Sequence, residues 1–432
     1  EAPVLQGTCP CAKIVFLLST SQRNPLSCHY RLLSIKPGSP SGLSILSARS
    51  SFQFAVNMDC CFMFRRRSQH AVEGDDGVHS VKVFSYNELR KATQDFSGAN
   101  KIGEGGFGSV FRGMLKDGKL VAVKVLSATS RQGVREFLTE LTAISDIKHD
   151  NLVTLVGCCA EGSHRILVYN YLENNSLSQT LLGSSYSNIQ FNWKARVKIA
   201  VGVARGLAFL HEEIRPHIIH RDIKASNILL DKDLTPKISD FGLARLLPPN
   251  ATHVSTRVAG TLGYLAPEYA IRGQVTKKSD IYSFGVLLLE IVCGRCNTNT
   301  RLPSEDQFLL EKTWALYEQG HLEEIIDADI DGDLDIEEAC LFLKIGLLCT
   351  QDAMARRPQM TAVVRMLTGS KNVSMEKITR PAMITDFTEL KISSKPPEGA
   401  NETHPSTSRS FTTTEATEPL FSSSETPTQL ST

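Results

Sequence analysis

Residues 220–227 read His-Arg-Asp-Ile-Lys-Ala-Ser-Asn, and they are the most informative part of this chain. They place a carboxylate, an ammonium group and an amide within one short segment. Asp240-Phe-Gly242 and Ala266-Pro-Glu268 follow in that order. A carboxylate can orient a hydroxyl and accept its proton, and carboxylate and amide oxygens suit a hard cation such as Mg²⁺. The three stretches therefore mark a candidate catalytic region.

A glycine-rich segment, Gly103-Glu-Gly-Gly-Phe-Gly108, precedes this region. Glycines at 103, 105 and 108 would let backbone amides approach phosphate oxygens without an intervening side chain. In a dinucleotide site the last glycine would open a helix, whereas Ser109 to Arg112 continues as a strand and no βαβ pattern follows. For this motif alone, a glycine-rich hairpin turn without a ligand remains the alternative.

Two charged residues stand between the glycines and the candidate catalytic region. Leu120–Leu126 alternates with period two, so Ala122 and Lys124 share one face of a predicted strand. Glu140 lies on the edge of a predicted helix whose apolar stripe consists of Val134, Phe137, Leu138, Leu141 and Ile144. Alone, such a lysine or glutamate is most often a solvated surface residue. Their order relative to the other motifs favours a functional pair.

Composition limits the classes of protein to which the chain can belong. Of 432 residues, 41% are hydrophobic and 22% are charged, which excludes a fully disordered, collagenous or coiled-coil chain. The 47 basic residues nearly balance the 46 acidic ones, so we expect no nucleic-acid partner bound through bulk charge. The 11 cysteines lack a regular spacing, which favours reduced thiols in a cytosol. No apolar run approaches the roughly 18 to 20 residues that span a bilayer.

The composition also predicts the domain boundaries. Residues 1–57 are serine-rich, acid-poor and without methionine, which predicts a disordered leader or a translated upstream segment, with translation starting at Met58; a transit peptide is the alternative. Residues 58–83 form a basic arm in which Cys60, Cys61 and Arg65–Arg67 could attach the chain to a membrane, or could be incidental. Residues 84–368 carry the periodic patterns of a folded domain. Residues 369–432, rich in Ser, Thr and Pro, predict a disordered tail.

Taken together, these motifs resemble the signature set of the eukaryotic protein kinases, over about residues 96–368. Within that family, His149–Cys159, Leu167–Leu172 and Ser239–Arg245 look like the plant receptor-like kinases, relatives of the Pelle and interleukin-receptor-associated kinases. No stretch of these 432 residues has the pattern of an ectodomain or of a membrane span, so we expect the receptor-like cytoplasmic branch, which the sequence resembles. The resemblance implies an α+β fold with two lobes, a β-rich N-lobe at about 96–172 and a helical C-lobe at about 173–368.

The resemblance also implies a role for each candidate residue. Asp222 would be the catalytic base, Lys224 would contact the γ-phosphate, and Asn227 and Asp240 would bind Mg²⁺. Lys124, paired with Glu140, would hold the α- and β-phosphates of ATP. The other implied nucleotide-binding residues are Ile102, Gly103, Gly105 and Gly108 over the phosphates, Val110, Ala122 and Leu229 around the adenine, Tyr169 at the back of the pocket, and Asn170, Tyr171 and Leu172 in the hinge. Glu268 would pair with Arg357, and Asp280 would bind the backbone of the catalytic loop.

The implied function is that of a serine/threonine protein kinase, because Lys224 follows the catalytic aspartate as it does in that branch. The expected partners are protein substrates bearing Ser or Thr and an upstream receptor kinase, and the expected location is cytoplasmic or at the plasma membrane. A pseudokinase that acts as a signalling scaffold is the alternative. Lys124, Asp222 and Asp240 are all present, which favours activity.

Regulation is predicted from Arg221, which precedes the catalytic aspartate. Its buried positive charge could be neutralised by a phosphorylated activation segment. The segment between Asp240 and Glu268 offers Thr252, Ser255, Thr256 and Thr261. We expect phosphorylation of Ser255 or Thr256 to activate the enzyme, and Thr261 to help shape the substrate site.

A further motif, at residues 327–338, has the pattern of a calcium-binding loop. Residues 327–338 satisfy the EF-hand loop pattern, with acids at loop positions 1, 3, 5, 9 and 12 and Gly332 at position 6. The kinase family has a loop between late helices at this place, and EF-hands usually work in pairs. The kinase loop is therefore the favoured interpretation, with a calcium site as the alternative.

Overall fold

The computed structural model describes residues 81–105, 108–127, 131–183, 189–330, 332, 334–373 and 377–383. It also describes the backbone of three short strands, β1 (Gln6–Cys9), β2 (Ala12–Val15) and β3 (Leu33–Ser34), which pair as an antiparallel sheet. The chain divides into compact units at 1–77 and 78–432, and the second contains every predicted catalytic, nucleotide-binding and regulatory residue. The predicted anchor residues Cys60, Cys61 and Arg65–Arg67 lie outside the described residues.

The N-lobe is built on a six-stranded sheet with two helices. The strand order is β4-β8-β9-β7-β6-β5, and every neighbouring pair is antiparallel except β4 and β8. The strands are β4 (Lys82–Val83), β5 (Lys101–Gly105), β6 (Gly108–Met114), β7 (Leu120–Leu126), β8 (Leu155–Cys159) and β9 (Arg165–Asn170), and the helices are α1 (Tyr86–Ala92) and α2 (Arg131–Ile144). The sheet thus extends into residues 82–83, which the sequence assigned to the basic arm.

The period-two pattern of β7 gives the sheet its two faces. Val121 and Val123 are fully buried in a cluster with Phe84 and Leu89 from the segment around α1. Ser85 caps α1 in a capping box, because its hydroxyl accepts from the Glu88 amide while the Glu88 carboxylate accepts from the Ser85 amide. This confirms the alternation predicted from the sequence, and the helix begins where the pattern Ser85-Tyr-Asn-Glu88 predicts a capping box. The opposite face of β7 presents Lys124 to the space between the lobes.

Helix α2 differs from its predicted stripe at two positions. Leu138, which was placed on the apolar stripe, is 37% exposed, and Glu140, which was placed on its edge, is only 1% exposed. The buried face is centred instead on Phe137, Glu140, Leu141 and Ile144. The shift has a physical cause, because the Glu140 carboxylate binds the Lys124 ammonium group and the Phe241 amide of the site described below.

The C-lobe is mainly helical. Its helices are α3 (Leu177–Thr180), α4 (Trp193–Ala208), α5 (Pro267–Arg272), α6 (Lys277–Cys293), α7 (Leu309–Gln319), α8 (Ile336–Thr350) and α9 (Met360–Leu367). Short antiparallel pairs join β10 (His217–Ile219) with β13 (Arg245–Leu247), β11 (Ile228–Leu230) with β12 (Pro236–Ile238), and β14 (Val254–Ser255) with β15 (Gln274–Val275). Within the described part, no helix is both long enough and apolar enough to cross a membrane.

Helix α6 is the centre of the C-lobe. Every residue from Ser279 to Cys293 is buried, as its nearly continuous apolar sequence predicts. The helix packs mainly against α8, and also against α4 and α7. A helix enclosed in this way holds its few polar side chains in place, because any movement would leave them without partners.

A buried ion pair joins the Ala-Pro-Glu motif to the end of the lobe. The guanidinium of Arg357 donates to both carboxylate oxygens of Glu268, at 2.7 and 2.9 Å. Arg357 also donates to the backbone oxygens of Gln351 (2.7 Å) and Lys278 (3.1 Å), and its guanidinium lies over the Tyr282 ring. The predicted pair is therefore confirmed, and its remaining donors are satisfied as burial requires.

The folded domain continues past the predicted boundary at residue 368. Residues 377–383, which we call the C-terminal strap, lie against the C-lobe although the sequence assigned them to the disordered tail 369–432. The strap forms a β-bridge between Pro381 and Gln351, and the Ala382 amide donates to the Thr350 oxygen at 3.0 Å. Ala382 and Met383 are 3% and 6% exposed. The composition of the tail did not predict this contact, because the contact depends on only two apolar residues and on backbone hydrogen bonds.

The EF-hand-like segment has a structural role. At loop position 1, the Asp327 carboxylate accepts from the guanidinium of Arg196 on α4. At loop position 12, the Glu338 carboxylate accepts from the indole nitrogen of Trp193 at 2.6 Å. Asp331 and Asp333 lie outside the described residues. The two end positions of the loop thus anchor it to α4, and the described residues contain no cluster of three metal-ligating side chains.

A substitution at Gly157 on β8 tests how closely the segment before α1 packs on the sheet. A Cβ at Gly157 would lie 2.3 Å from the Lys82 oxygen and 2.5 Å from the Phe84 ring. We expect Gly157→Ala to lower the free energy of unfolding by about 1 to 3 kcal/mol, because Phe84 must shift out of its buried position. Urea denaturation would measure the change. Gly98→Ala is the matched control, since a Cβ there meets nothing within 4 Å; equal stability of the two variants would contradict the prediction.

Candidate active site

Lys124 joins the two lobes through two carboxylates. Its ammonium group lies 3.0 Å from Glu140 Oε2 on α2 and 2.7 Å from Asp240 Oδ1. The period of β7 points Lys124 into the cleft, and the helical spacing of α2 brings Glu140 opposite it. The structure therefore brings together the strand lysine, the helix glutamate and the aspartate of Asp-Phe-Gly, which are far apart in sequence.

The opposite charges of Lys124 and Asp240 stabilise each other. Burial lowers the pKa of Lys124, but the Asp240 and Glu140 carboxylates more than offset it and raise the pKa above its ordinary value. Burial likewise raises the pKa of Asp240, yet the Lys124 ammonium group outweighs it and brings the pKa below the usual range. The lysine thus stays cationic and the aspartate anionic at neutral pH.

The backbone around Asp240 takes an unusual conformation. Asp240 has φ 63° and ψ 73°, in the left-handed region that non-glycine residues seldom adopt. The following amide, of Phe241, donates to Glu140 Oε1 at 3.3 Å, and the Phe241 ring packs edge-on against His220. These contacts hold the Asp240 carboxylate toward Lys124.

A second polar network surrounds Asp222. Its Oδ2 accepts from Asn227 Nδ2 at 2.9 Å and lies 3.0 Å from the Lys224 ammonium group. Its Oδ1 accepts from the hydroxyl of Thr261 at 2.8 Å, and that hydroxyl in turn accepts from Lys224 at 2.8 Å. The structure thus brings Asp222, Lys224, Asn227 and Thr261 together, and it places a hydroxyl in contact with the carboxylate.

The loop that carries Asp222 is fixed from below by Asp280 on α6. Asp280 is fully buried, and its carboxylate accepts from the amides of His220 (2.7 Å) and Arg221 (2.8 Å). His211 Nε2 lies 2.9 Å from the same carboxylate. Although burial raises the pKa of Asp280, these hydrogen bonds bring it below its ordinary value. The predicted contact with the loop backbone is confirmed.

Arg221 has neutral partners in this structure. Its guanidinium donates to the backbone oxygens of Leu243 (2.9 Å) and Arg257 (2.8 Å) and to the Tyr269 hydroxyl. The side chain is only 5% exposed, and its backbone φ is 73°. Burial and the nearby positive charge of Arg221 together lower the pKa of Arg245. A region of positive charge therefore lies beside the activation segment.

The glycine segment forms the hairpin between β5 and β6. Gly103, Gly105 and Gly108 lie on these strands, and residues 106 and 107 at the tip lie outside the described residues. Gly108 has φ 137°, and a Cβ there would lie 2.0 Å from the Val125 oxygen, so only glycine fits. The continuation as strand β6 agrees with the prediction and excludes the strand-to-helix turn of a dinucleotide fingerprint.

The other predicted nucleotide-binding residues lie on five strands and in the segment after β9. Val110 stands opposite Lys124 in the sheet register, and Ala122 stands opposite Tyr169. Leu229, on β11, is partly buried at the top of the C-lobe. Asn170 ends β9, where its Oδ1 is buried without a hydrogen-bond partner, and Tyr171 and Leu172 follow it. Ile102, on β5, is partly buried.

The four hydroxyl residues that the sequence offers in the activation segment are spread along it. Ser255 lies on β14 and is exposed, whereas the Thr256 amide donates to the Gly273 oxygen at 3.0 Å. Thr252 is exposed beside His253. Of the four, only Thr261 contacts the network around Asp222.

Sequence reasoning missed three residues of the site. Tyr269 holds both Arg221 and the amide of Ala259, at 2.9 Å. The Tyr264 hydroxyl shares its proton between the two carboxylate oxygens of Glu290 on α6, at 2.8 and 2.7 Å. Glu136 is 4% exposed and packs against Gly242 of Asp-Phe-Gly. Glu136 could have been found, because it lies one helical turn before Glu140 on the same face.

Comparison with known proteins finds one matching family and relatives that are all named as protein kinases. Residues 96–367 match the family described as protein tyrosine and serine/threonine kinase. The chain is 65% identical over 339 residues to cold-responsive protein kinase 1 of Arabidopsis thaliana, which covers 78% of this chain and 87% of that protein. It is 51% identical over 330 residues to a probable LRR receptor-like serine/threonine-protein kinase of the same plant, covering 76% of this chain and 32% of the relative. Another, a probable leucine-rich repeat receptor-like serine/threonine-protein kinase, is 50% identical over 328 residues, with the same two shares.

Glu136 should make stability depend on pH. Burial raises its pKa to about 7, so between about pH 4.5 and 7 the folded chain keeps a proton that the unfolded chain loses. Stability should therefore fall as pH rises through this window. We expect Glu136→Gln to remove part of that fall and to be more stable than the wild type at pH 8 by about 1 to 3 kcal/mol.

Urea denaturation at pH 5, 6, 7 and 8 measures this effect. Glu318→Gln on the exposed side of α7 is the control. Glu290, whose pKa burial also raises to about 7, titrates in every variant and cancels from the difference. Parallel curves for the wild type and Glu136→Gln would contradict the prediction.

Proposed function

The chain belongs to the protein tyrosine and serine/threonine kinase family, and we propose that it transfers the γ-phosphoryl group of ATP to serine and threonine hydroxyls of proteins. It is a serine/threonine kinase by its relatives, and the resemblance to receptor-like kinases is confirmed by them. The observation that carries the mechanism is the hydroxyl of Thr261 in contact with Asp222 and Lys224, beside the Lys124–Asp240 pair. This arrangement is suited to a hydroxyl acceptor and a polyphosphate donor.

The nucleotide would lie between the glycine hairpin and the C-lobe. The backbone of Gly103, Gly105 and Gly108 would cover the phosphates, and Lys124 would neutralise the α- and β-phosphates while Glu140 fixes its position. Val110, Ala122 and Leu229 would enclose the adenine. The polar atoms of the hinge, Asn170 to Leu172, would bind its edge, and the unpartnered Oδ1 of Asn170 is consistent with a polar ligand there.

The donor set fits a magnesium ion. The kinase family generally uses ATP and Mg²⁺, and Asp240 and Asn227 offer one carboxylate and one amide. Mg²⁺ typically takes one or two protein ligands and completes its shell with phosphate and water oxygens, so a site with few carboxylates is suitable. When bound, the ion would neutralise charge on the β- and γ-phosphates.

Asp222 would act on the acceptor hydroxyl. The hydroxyl of a substrate serine or threonine would occupy the position of the Thr261 hydroxyl beside Asp222 Oδ1. There the carboxylate would orient the attacking oxygen and accept its proton. Lys224 would contact the γ-phosphate and neutralise the charge that moves between donor and acceptor. Asn227 holds the other oxygen of Asp222 and so limits rotation of the carboxylate.

A pseudokinase scaffold is the alternative function. Pseudokinases commonly lack one of the charged groups that phosphoryl transfer requires, whereas Lys124, Asp222 and Asp240 are all present. Lys124 contacts Asp240, and Asp222 contacts Lys224. No observation favours the scaffold.

The location and upstream partner are parts of the same proposal. A receptor kinase would phosphorylate or bind this chain, and the chain would in turn phosphorylate protein substrates on Ser or Thr. Cys60, Cys61 and Arg65–Arg67 would supply acyl chains and attraction to anionic lipid for attachment at the plasma membrane. Without attachment, the chain would act in the cytoplasm.

Replacing the proposed base tests the catalytic assignment. We expect Asp222→Asn to lower the rate of phosphate transfer from Mg-ATP to a generic protein substrate by about 10² to 10⁴, because the amide cannot accept the hydroxyl proton. Mass spectrometry should find the wild-type label on Ser and Thr. Nucleotide binding, followed by thermal shift with ATP, should be retained. Equal rates for the wild type and the variant would sink the assignment, and silence of the wild type after activation-segment phosphorylation would favour the scaffold.

Activation would operate through the positive region at Arg221. The guanidinium is satisfied by neutral oxygens, and a phosphate on Ser255 or Thr256 would offer it a charge-assisted hydrogen bond and order the segment. Arg245, whose pKa is lowered by burial and by the nearby charge of Arg221, would add to the same anion site.

The combined variant Ser255→Ala, Thr256→Ala tests this mechanism. A charge-assisted contact of about 1.5 to 3 kcal/mol corresponds to a rate about 10- to 100-fold lower in the variant than in the phosphorylated wild type. Thr252→Ala is the control in the same segment, because its hydroxyl contacts only the neighbouring His253 among the bonds described. An unchanged rate in the double variant would refute the mechanism.

A further inference from the structure

The C-terminal strap is attached to the C-lobe through the side chain of Gln351. Both the amide and the hydroxyl of Thr379 donate to Gln351 Oε1, at 3.1 and 2.9 Å. Gln351 is 1% exposed, and its Nε2 donates to the backbone oxygens of Leu348 and Arg356, each at 3.1 Å. The amide group cannot rotate without losing these two bonds, so Thr379 faces a fixed acceptor.

The same glutamine touches the ion pair that ends the activation segment. The backbone oxygen of Gln351 accepts from Arg357 Nε at 2.7 Å, and Arg357 holds Glu268. The strap reaches this pair by a second route, since the buried Tyr282 hydroxyl donates to the Ala382 oxygen at 2.7 Å and the Arg357 guanidinium lies over the Tyr282 ring. The position of the strap is therefore linked to Glu268 through two sets of contacts.

Thr379 is accessible enough to be modified. It is partly exposed, and its neighbours Lys377 and Arg380 are exposed. Residues 377–383 contain no helix, and backbone bonds hold the strap at the Ala382 amide and, at 3.3 Å, at the Arg380 oxygen. An extended segment held by few bonds can detach locally and enter an active site.

We propose that Thr379 is a phosphorylation site through which the C-terminal strap controls the kinase. A phosphoryl group on Oγ1 replaces a donor by a group of about −1.5 to −2 charge that faces the Gln351 acceptor oxygen. The strap then detaches, the Tyr282 hydroxyl loses its Ala382 partner, and the support of Arg357 weakens. Glu268 is held less firmly, and the catalytic rate falls.

The proposal rests on the proposed kinase activity, which supplies the chemistry. Thr379 Oγ1 of one copy attacks the γ-phosphorus of ATP in the cleft of a second copy. The new O–P bond forms as the bond between the γ-phosphorus and the bridging oxygen breaks, ADP leaves, and the hydroxyl proton passes to Asp222 and then to water.

The experiment uses the full chain incubated with Mg-ATP and a generic protein substrate in one reaction. Mass spectrometry measures phosphate on Thr379 and on the substrate, and hydrogen exchange measures protection of the amides in 378–383. We expect phosphate on Thr379 and at least tenfold faster exchange in the strap after the reaction. Thr379→Val, which lacks the hydroxyl, should lose the ATP-dependent change in exchange.

Three further variants separate charge at Thr379 from other effects. Thr379→Glu should show faster exchange in the strap without ATP and a kcat/KM three- to tenfold below that of the wild type. Thr379→Ser keeps the hydroxyl and should match the wild type, as should Ser370→Glu, which adds charge at an exposed position.

Each contrary outcome has a distinct meaning. If the protein substrate is labelled but Thr379 is not, the inference is overturned and the kinase activity stands. If neither is labelled, the proposed function itself fails, and with it the phosphorylation of Thr379 by a second copy. If Thr379→Glu leaves the strap protected, or protects it more through Arg356 or Arg380, the switch is overturned whatever the labelling.

Discussion

The carboxylate of Asp280 is the contact on which the catalytic arrangement depends. A charge buried in the first turn of α6 would be very costly without partners, and the two amides of the catalytic loop supply them together with His211. Because both amides bind this carboxylate, the loop passes over α6 with the backbone of Arg221 in the left-handed region. This geometry turns Asp222 upward toward the cleft, so the position of the base follows from the need to satisfy a buried acid.

The second constraint is the charge balance between the lobes. Lys124 comes from the sheet, Glu140 from α2 and Asp240 from the C-lobe. The two carboxylates favour the charged state of Lys124, and the Lys124 ammonium group favours that of Asp240. A movement of α2 away from the cleft would leave a buried lysine with fewer partners. The electrostatics of three residues thus couples the position of a helix to the readiness of the site, without requiring a large contact surface between the lobes.

Much of this arrangement could be predicted from the sequence because its signals are local. The period of β7, the capping box at Ser85 and the apolar run of α6 each act over a few residues, and the order of the motifs identifies the Lys124–Glu140 and Glu268–Arg357 pairs through the family resemblance. The burial of Glu136 and the exposure of Leu138 depend on how far α2 is rotated about its axis, which no periodicity determines to within one residue. The partners of Arg221 and Gln351 are mostly backbone oxygens, which every residue type carries and no pattern can mark.

Strand β4 has a consequence for the solution behaviour of the domain. It pairs in parallel with β8, and the Phe84 amide then donates to the Cys158 oxygen at 2.8 Å, so the outer backbone groups of β8 are covered. A sheet whose outermost strand is long and uncovered offers a template for pairing with another chain. The residues just before α1 therefore protect the N-lobe against aggregation, and a recombinant kinase domain that starts after Phe84 would expose β8 to self-association.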